Sequence, residues 1–213
     1  MAILDLGFFI RGNSSHVIFN RTVVKIGLTG GIGCGKSTVV QFFVDAGWQT
    51  IESDAVVREL LANSSQVQST LRDHWGGAIF TGDGVLDRKA IARIVFKDES
   101  ELQWLESVLH PLVRKAWSTA LAAEPNANWL VEIPLLFEKR LETEFDLTVC
   151  VTSPPDTVEA RMVRRGYTGA AVEERRSRQM PLQSKAQCAD RVISNAGSLE
   201  FLKRQTNRLI AEI

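Results

Sequence analysis

The run Gly30-Gly31-Ile32-Gly33-Cys34-Gly35-Lys36-Ser37-Thr38 fits the pattern G-x-x-x-x-G-K-[ST] at every fixed position, and its residue types suit one chemistry, the grip on a nucleoside triphosphate. Glycines let backbone N–H groups close around phosphate oxygens where a Cβ would collide. On this pattern Gly31, Ile32, Gly33, Cys34 and Gly35 line the phosphates, Lys36 meets the β- and γ-phosphates, Ser37 ligates Mg²⁺ and Thr38 touches the α-phosphate. At Cys34 a small side chain that fits is favoured over a redox-active thiol. Two carboxylates extend the set. Glu132 closes the apolar run Trp129-Leu130-Val131, the shape in which an acid orders Mg²⁺ or its water. Asp54 follows the short run Gln49-Thr50-Ile51-Glu52, on the ligand edge of a parallel sheet, and is a helix N-cap, a catalytic carboxylate, or both.

These residues need elements to position them. Val23-Val24-Lys25-Ile26-Gly27-Leu28 is β-branched and apolar enough for a buried parallel strand, and Ser37 to Val44 carries apolar residues at helical spacing up to Gly47. Strand, glycine turn and helix in that order bring the helix's free N–H groups and positive dipole end to the phosphates. Further strands are expected at 49–52, 129–132, 145–151 and 190–193, with Ser198 capping a final helix. The alternation favours right-handed crossovers and a five-stranded parallel sheet with the phosphate-loop strand at its centre. Residues 63–124 read as several short helices with glycine turns at 75–77 and 81–84. Within them Pro111 stands at a helix start, His110 just before it and Arg114 a turn on. This is more helix than one crossover needs, so the segment is expected to be an insertion that covers the ligand edge and holds a second substrate. Arg161, Arg164, Arg165, Arg175, Arg176 and Arg178 crowd around Gly166 and Gly169. A solvated face would account for them, but in a phosphate-loop chain they read better as a lid that closes over the triphosphate.

At 213 residues and 45% hydrophobic content the chain can bury a full core without metals or disulfides. Its 25 basic and 25 acidic residues argue against a nucleic-acid or membrane partner held by bulk charge. From Val151 onward, however, 11 basic residues face 7 acidic ones, as a module turned toward phosphates would require. Three cysteines with no CxxC pair point to a reducing compartment, by default the cytoplasm. No run approaches the roughly 18 apolar residues of a membrane span. Residues 1–22 read as an extension without a catalytic part.

From about Val23 to Ile213 the chain resembles dephospho-CoA kinases. Four features carry the resemblance: the loop Leu28 to Ser37, the run Leu109-His110-Pro111-Leu112-Val113-Arg114, the run Pro134-Leu135-Leu136-Phe137-Glu138, and Gln179-Met180-Pro181-Leu182 with Ala189-Asp190 and Asn195 to Leu199. The resemblance implies a three-layer α/β phosphate-loop fold with a core at 23–62, 125–160 and 186–213, a helical acceptor-binding insertion at 63–124 and an arginine lid at 161–185. It further implies transfer of the ATP γ-phosphoryl group to the ribose 3′-hydroxyl of dephospho-CoA, with Mg²⁺. Asp54 takes the place of the base, although the family's two aspartates around a small residue appear here as Glu52-Ser53-Asp54. Arg161 and Arg165, then Arg175, fall where lid arginines meet phosphate, and Asn195 to Gly197 where adenine is cradled. His110, Arg114 and Glu132 are candidate acceptor contacts, against the plain alternative of a capping His and a solvated Arg. A monomer or weak homo-oligomer is expected. Another nucleoside or nucleoside-monophosphate kinase is the nearest rival. A GTP-dependent switch needs an Asn-Lys-x-Asp guanine reader, which the chain lacks.

Overall fold

The computed structural model describes residues 23–213; the expected extension at 1–22 lies outside the described residues. In chain order the elements are β1 (Lys25–Gly30), α1 (Lys36–Asp45), β2 (Gln49–Glu52), α2 (Ser53–Asn63), α3 (Ser65–Trp75), α4 (Arg88–Lys97) and α5 (Glu99–Ala123). There follow β3 (Trp129–Glu132), β4 (Leu147–Thr152), α6 (Pro155–Arg164), α7 (Gly169–Ser177), α8 (Leu182–Cys188), β5 (Arg191–Ser194) and α9 (Leu199–Glu212). They form two compact units, one made of 52–124 and one of the remaining described residues.

The larger unit is a parallel five-stranded sheet in the order β2-β3-β1-β4-β5, with β1 at the centre as its sequence requires. A strand covered on both faces has no polar side, and β1 accordingly keeps Ile26 and Leu28 wholly out of solvent. Register fixes what flanks the loop that follows: Leu28 lies opposite Glu132 on one side, and Gly30 opposite Val151 on the other. Helices α1 and α9 pack together, and Val39, Val40, Phe43, Leu202 and Leu209 join Ile26, Leu28, Val149 and Val151 in one core. Helix α8 packs on β1 and β4 from the face that carries Thr29. The Ser198 hydroxyl accepts from the Phe201 N–H and starts α9.

In the smaller unit α2 and α4 both pack on α5. The expectation of several short helices holds for α3 and α4 but not for 99–123, which is one 25-residue helix with Pro111 inside it rather than at a start. Pro111 cannot donate to the Ser107 carbonyl, a local loss. The buried stripe Leu105, Leu109, Val113, Ala116, Trp117 and Leu121 runs unbroken past it, and Pro111 itself points to solvent. Packing along the stripe outweighs the missing bond. The unit also begins earlier than 63, because α2 packs with α5.

Candidate active site

The loop between β1 and α1 is built by glycines at the places where other residues would fail. Gly35, the N-cap of α1, has φ 95°, and a Cβ there would collide with the Asn195 side-chain amide. Gly30 has φ 147°, and its Cβ would strike the Val151 carbonyl on the neighbouring strand. Lys36 follows at the first turn of α1. Its Nζ donates to the carbonyls of Gly30 and Gly31, each at 3.3 Å, and lies 3.5 Å from Glu132 Oε1. Both side chains are nearly buried, at 12% and 6% exposure, so the pair is shielded from screening. Ser37 is exposed on the same first turn, and Thr38 is half-buried.

A second set of groups holds this backbone from behind. Asn195, at the exit of β5 and 5% exposed, donates through Nδ2 to the Cys34 carbonyl at 2.9 Å. Its Oδ1 accepts from Arg161 Nη2 at 3.1 Å, and Arg161 Nη1 donates to Ser153 Oγ at 2.9 Å and to the Gly33 carbonyl at 3.4 Å. Ser153 Oγ in turn donates to the Asn195 carbonyl at 2.7 Å. Arg161 from α6 and Asn195 just after β5 thus hold the carbonyls at 33 and 34, and Ser153, just after β4, braces both of them. Sequence reasoning named Arg161 and Asn195 for phosphate and adenine, and missed Ser153 altogether. The only local signal for Ser153 is a small polar residue at the end of an apolar strand.

The arginine segment is a helical hairpin. Arg165 is the C-cap of α6, Gly166 turns the chain at φ 82°, and the Thr168 hydroxyl accepts from Ala171 N–H to start α7. Arg165 is exposed. Arg176 in α7 and Arg178 at its C-cap form surface pairs with Glu173 and Glu174 of α7 at 3.1 and 3.0 Å, contacts of small energetic weight. Arg175 stacks over Tyr167 at 5.1 Å and donates to the Ala171 carbonyl. The six arginines are therefore not one undifferentiated face.

Cys34 is buried inside the loop, and burial pushes its thiol above the ordinary value, more than Lys36 and the backbone N–H groups draw it down. Burial, and secondarily the neighbouring Cys34, pushes Cys150 up to about 11. Neutral thiols are poor nucleophiles, in keeping with Cys34 acting by its size.

In the smaller unit, Asp54 is exposed and is the second residue of α2, not its cap. The N-cap is Glu52, in extended conformation and without a side-chain cap bond, so the N-cap alternative for Asp54 is corrected. A carboxylate in a first turn is still favoured by the helix dipole. His110 and Arg114 lie one turn apart on α5, with His110 Nδ1 4.0 Å from Glu106 Oε2. Among the described residues no three His, Cys, Asp or Glu side chains gather as a metal cage, and no helix is long and apolar enough to cross a membrane.

Comparison with known proteins agrees with this geometry. The family model described as CoaE, dephospho-CoA kinase, matches residues 24–200. A protein named dephospho-CoA kinase in Gloeobacter violaceus is 39% identical over 186 residues, covering 87% of this chain and 90% of that one. Its namesake in Synechococcus elongatus is 37% identical over 205 residues, covering 95% and 97%. The crystal structure of TT1252 from Thermus thermophilus superposes with a TM-score of 0.77 at 35% identity, over 91% of this chain and 99% of that one.

Proposed function

The chain belongs to the dephospho-CoA kinase family, and on that premise we propose how its own residues carry the ATP-dependent phosphorylation of dephospho-CoA. The observation that supports the reading best is Lys36, held between the Gly30 and Gly31 carbonyls and Glu132 at the mouth of a loop whose Gly33 and Cys34 carbonyls are tied back. An ammonium so held needs only to exchange carbonyl partners for phosphate oxygens, which makes its charge available at little reorganisation cost. N–H groups of the loop and of the start of α1 hold the triphosphate, and Thr38 meets the α-phosphate.

Ser37 and Glu132 are oxygen donors of the kind a hard cation takes, and among the described residues no protein cage surrounds them, which suits Mg²⁺ held largely by phosphate and water. When bound, Mg²⁺ neutralises charge on the β- and γ-phosphates. The ribose 3′-hydroxyl oxygen of dephospho-CoA bonds to the γ-phosphorus, the bond from that phosphorus to the bridging oxygen breaks, and ADP leaves with the electron pair. Asp54 accepts the hydroxyl proton. Arg165 stabilises charge on the transferring group, Arg161 keeps the phosphate loop in shape from behind, and His110 and Arg114 contact the acceptor. The reaction is cytoplasmic on this reading.

A coupled assay for ADP release tests it, offering dephospho-CoA, AMP, CMP and uridine separately to purified protein. Turnover is expected with dephospho-CoA, and phosphorus NMR of the product should show a 3′-phosphate. Preferred turnover of AMP or CMP would overturn the acceptor assignment.

A further inference from the structure

Two of the sequence runs that the reaction leaves unused, 134–138 and 179–182, meet in space. Leu136 and Phe137 are buried, which fixes the backbone of the first run and points Glu138 at the second. Glu138 Oε1 accepts from the Met180 N–H at 2.8 Å and from Lys185 Nζ at 2.9 Å. Lys185 has no exposed surface, and its Nζ also donates to the Pro134 carbonyl at 2.6 Å, the same oxygen that accepts from Thr29 Oγ1 at 3.2 Å. Thr29 is the last residue before the phosphate loop. One turn of α8 before Lys185 stands Leu182, whose Cδ1 lies 3.5 Å from where a Cβ on Gly31 would be.

A fully buried lysine demands an explanation. Its desolvation exceeds what one ion pair commonly returns, and well-packed apolar residues of the same volume usually serve stability as well or better. Glu138 Oε2, moreover, is buried without a hydrogen-bond partner, which a pair selected only for stability would avoid. What this pair supplies that an apolar pair cannot is direction. It grips one N–H and one carbonyl, Met180 and Pro134, and so sets the position of the chain where it leaves the arginine hairpin.

We propose that Glu138 and Lys185 are positioning residues that clasp the base of the arginine hairpin, 161–180, to the exit of β3, so that its arginines reach the transferring phosphate in a defined geometry. The proposal rests on the reading of that hairpin as a phosphate lid, given above. Without the clasp the hairpin keeps its own helices but loses its fixed point at Met180, and α8 is free to shift Leu182 off Gly31.

Lys185→Met alone leaves a buried carboxylate unpaired and can prevent folding. The decisive variant therefore combines Glu138→Gln with Lys185→Met, removing both charges at nearly constant volume. It is expected to melt near the wild-type temperature yet to be cut by trypsin after the hairpin arginines at least about tenfold faster, because local opening has become easier. Its kcat should fall about tenfold or more while the ATP Kd from calorimetry stays within about threefold, as misplacement without lost binding predicts. Cleavage and kcat both within about twofold of wild type in that folded double variant would overturn the clasp. Arg165→Ala in the wild-type background tests the lid reading separately. If its kcat is normal the lid assignment fails, whereas the proteolysis result still decides the clasp.

Discussion

The backbone at residues 33–35 and the helices that carry Asp54, His110 and Arg114 are held in different ways. In the loop, carbonyls are tied by side chains more than 100 residues away in sequence: Arg161 to Gly33 and Asn195 to Cys34. In the smaller unit many polar contacts close within a helical turn: the Ser64, Asp87 and Asp98 caps, Thr70 to the Gln66 carbonyl, and Ser107 to the Trp104 carbonyl. Its longer polar contact is the Glu101 carboxylate, which accepts from Trp75 Nε1 and pairs with His74, itself stacked on Trp104 at 3.6 Å. A site wired through distant elements is stiff and pre-organised, but a fault in any strut reaches the chemistry. A site carried on helices whose polar contacts close mostly within a turn tolerates change around it and concentrates its risk in the functional side chain.

The sharpest break in that comparison is Lys36→Ala, which removes the charge from the transferring phosphate and should lower kcat/KM by at least about 10²- to 10³-fold. Cys34→Ala, two residues away, should stay within a few-fold. Steady-state kinetics on both variants decides, and comparable losses would mean that the loop is misassigned.

Asp54→Asn comes next. It keeps the shape and removes the charge, and kcat should fall by at least about a hundredfold with the melting temperature and ATP affinity near wild type. Turnover within a few-fold of wild type would retire Asp54 as the base. Asp54 is not a cap, and losing its first-turn charge costs only about 0.3 to 1 kcal/mol, too little to explain a hundredfold loss of rate in a folded variant.

Thr148→Val probes the wiring of the larger unit without touching the loop. Thr148 Oγ1 donates to Asp190 Oδ2 at 2.7 Å and accepts from Asp190 N–H at 3.1 Å, joining β4 to the entry of β5. The loss should cost about 1 to 2 kcal/mol by denaturant melts, with kcat little changed. Hydrogen bonds from the Thr148 side chain, then its backbone, hold the Asp190 carboxyl below its ordinary value. A carboxyl depressed in the folded state stabilises above its unfolded pKa of about 4 and loses that contribution as pH falls through the folded value. The variant should therefore differ most from wild type at neutral pH and converge on it in acid. A constant offset down to pH 2 would contradict that linkage.

The smallest effect is expected from Glu101→Gln. His74 and then Trp75 hold the Glu101 carboxyl below its ordinary value, so the same sign applies, with stability present at neutral pH and lost in acid. On a surface cluster the melting temperature should move by no more than about 2 °C, read by calorimetry at pH 7. A shift several times larger would show that the aromatic cluster bears weight for the whole unit.

The amino-acid sequence alone determined the phosphate loop, the order of strands and helices around it and the central place of β1. Each follows from a local rule: glycines where φ is positive, apolar runs where both faces are covered, a serine where α9 begins. The local rule failed at Pro111, where a breaker signal was overridden by a buried stripe that only packing reveals, and at Asp54, displaced from the cap because α2 starts two residues earlier. Tertiary structure alone decided what long-range contacts decide: that Asn195 and Arg161 hold loop carbonyls, that Ser153 joins them, and that Glu138 and Lys185 share a buried bond although far apart in sequence. Spacing in sequence reports on neighbours within a turn or a strand. A buried hydrogen bond between elements depends on how the sheet brings their ends together, and no periodicity encodes that.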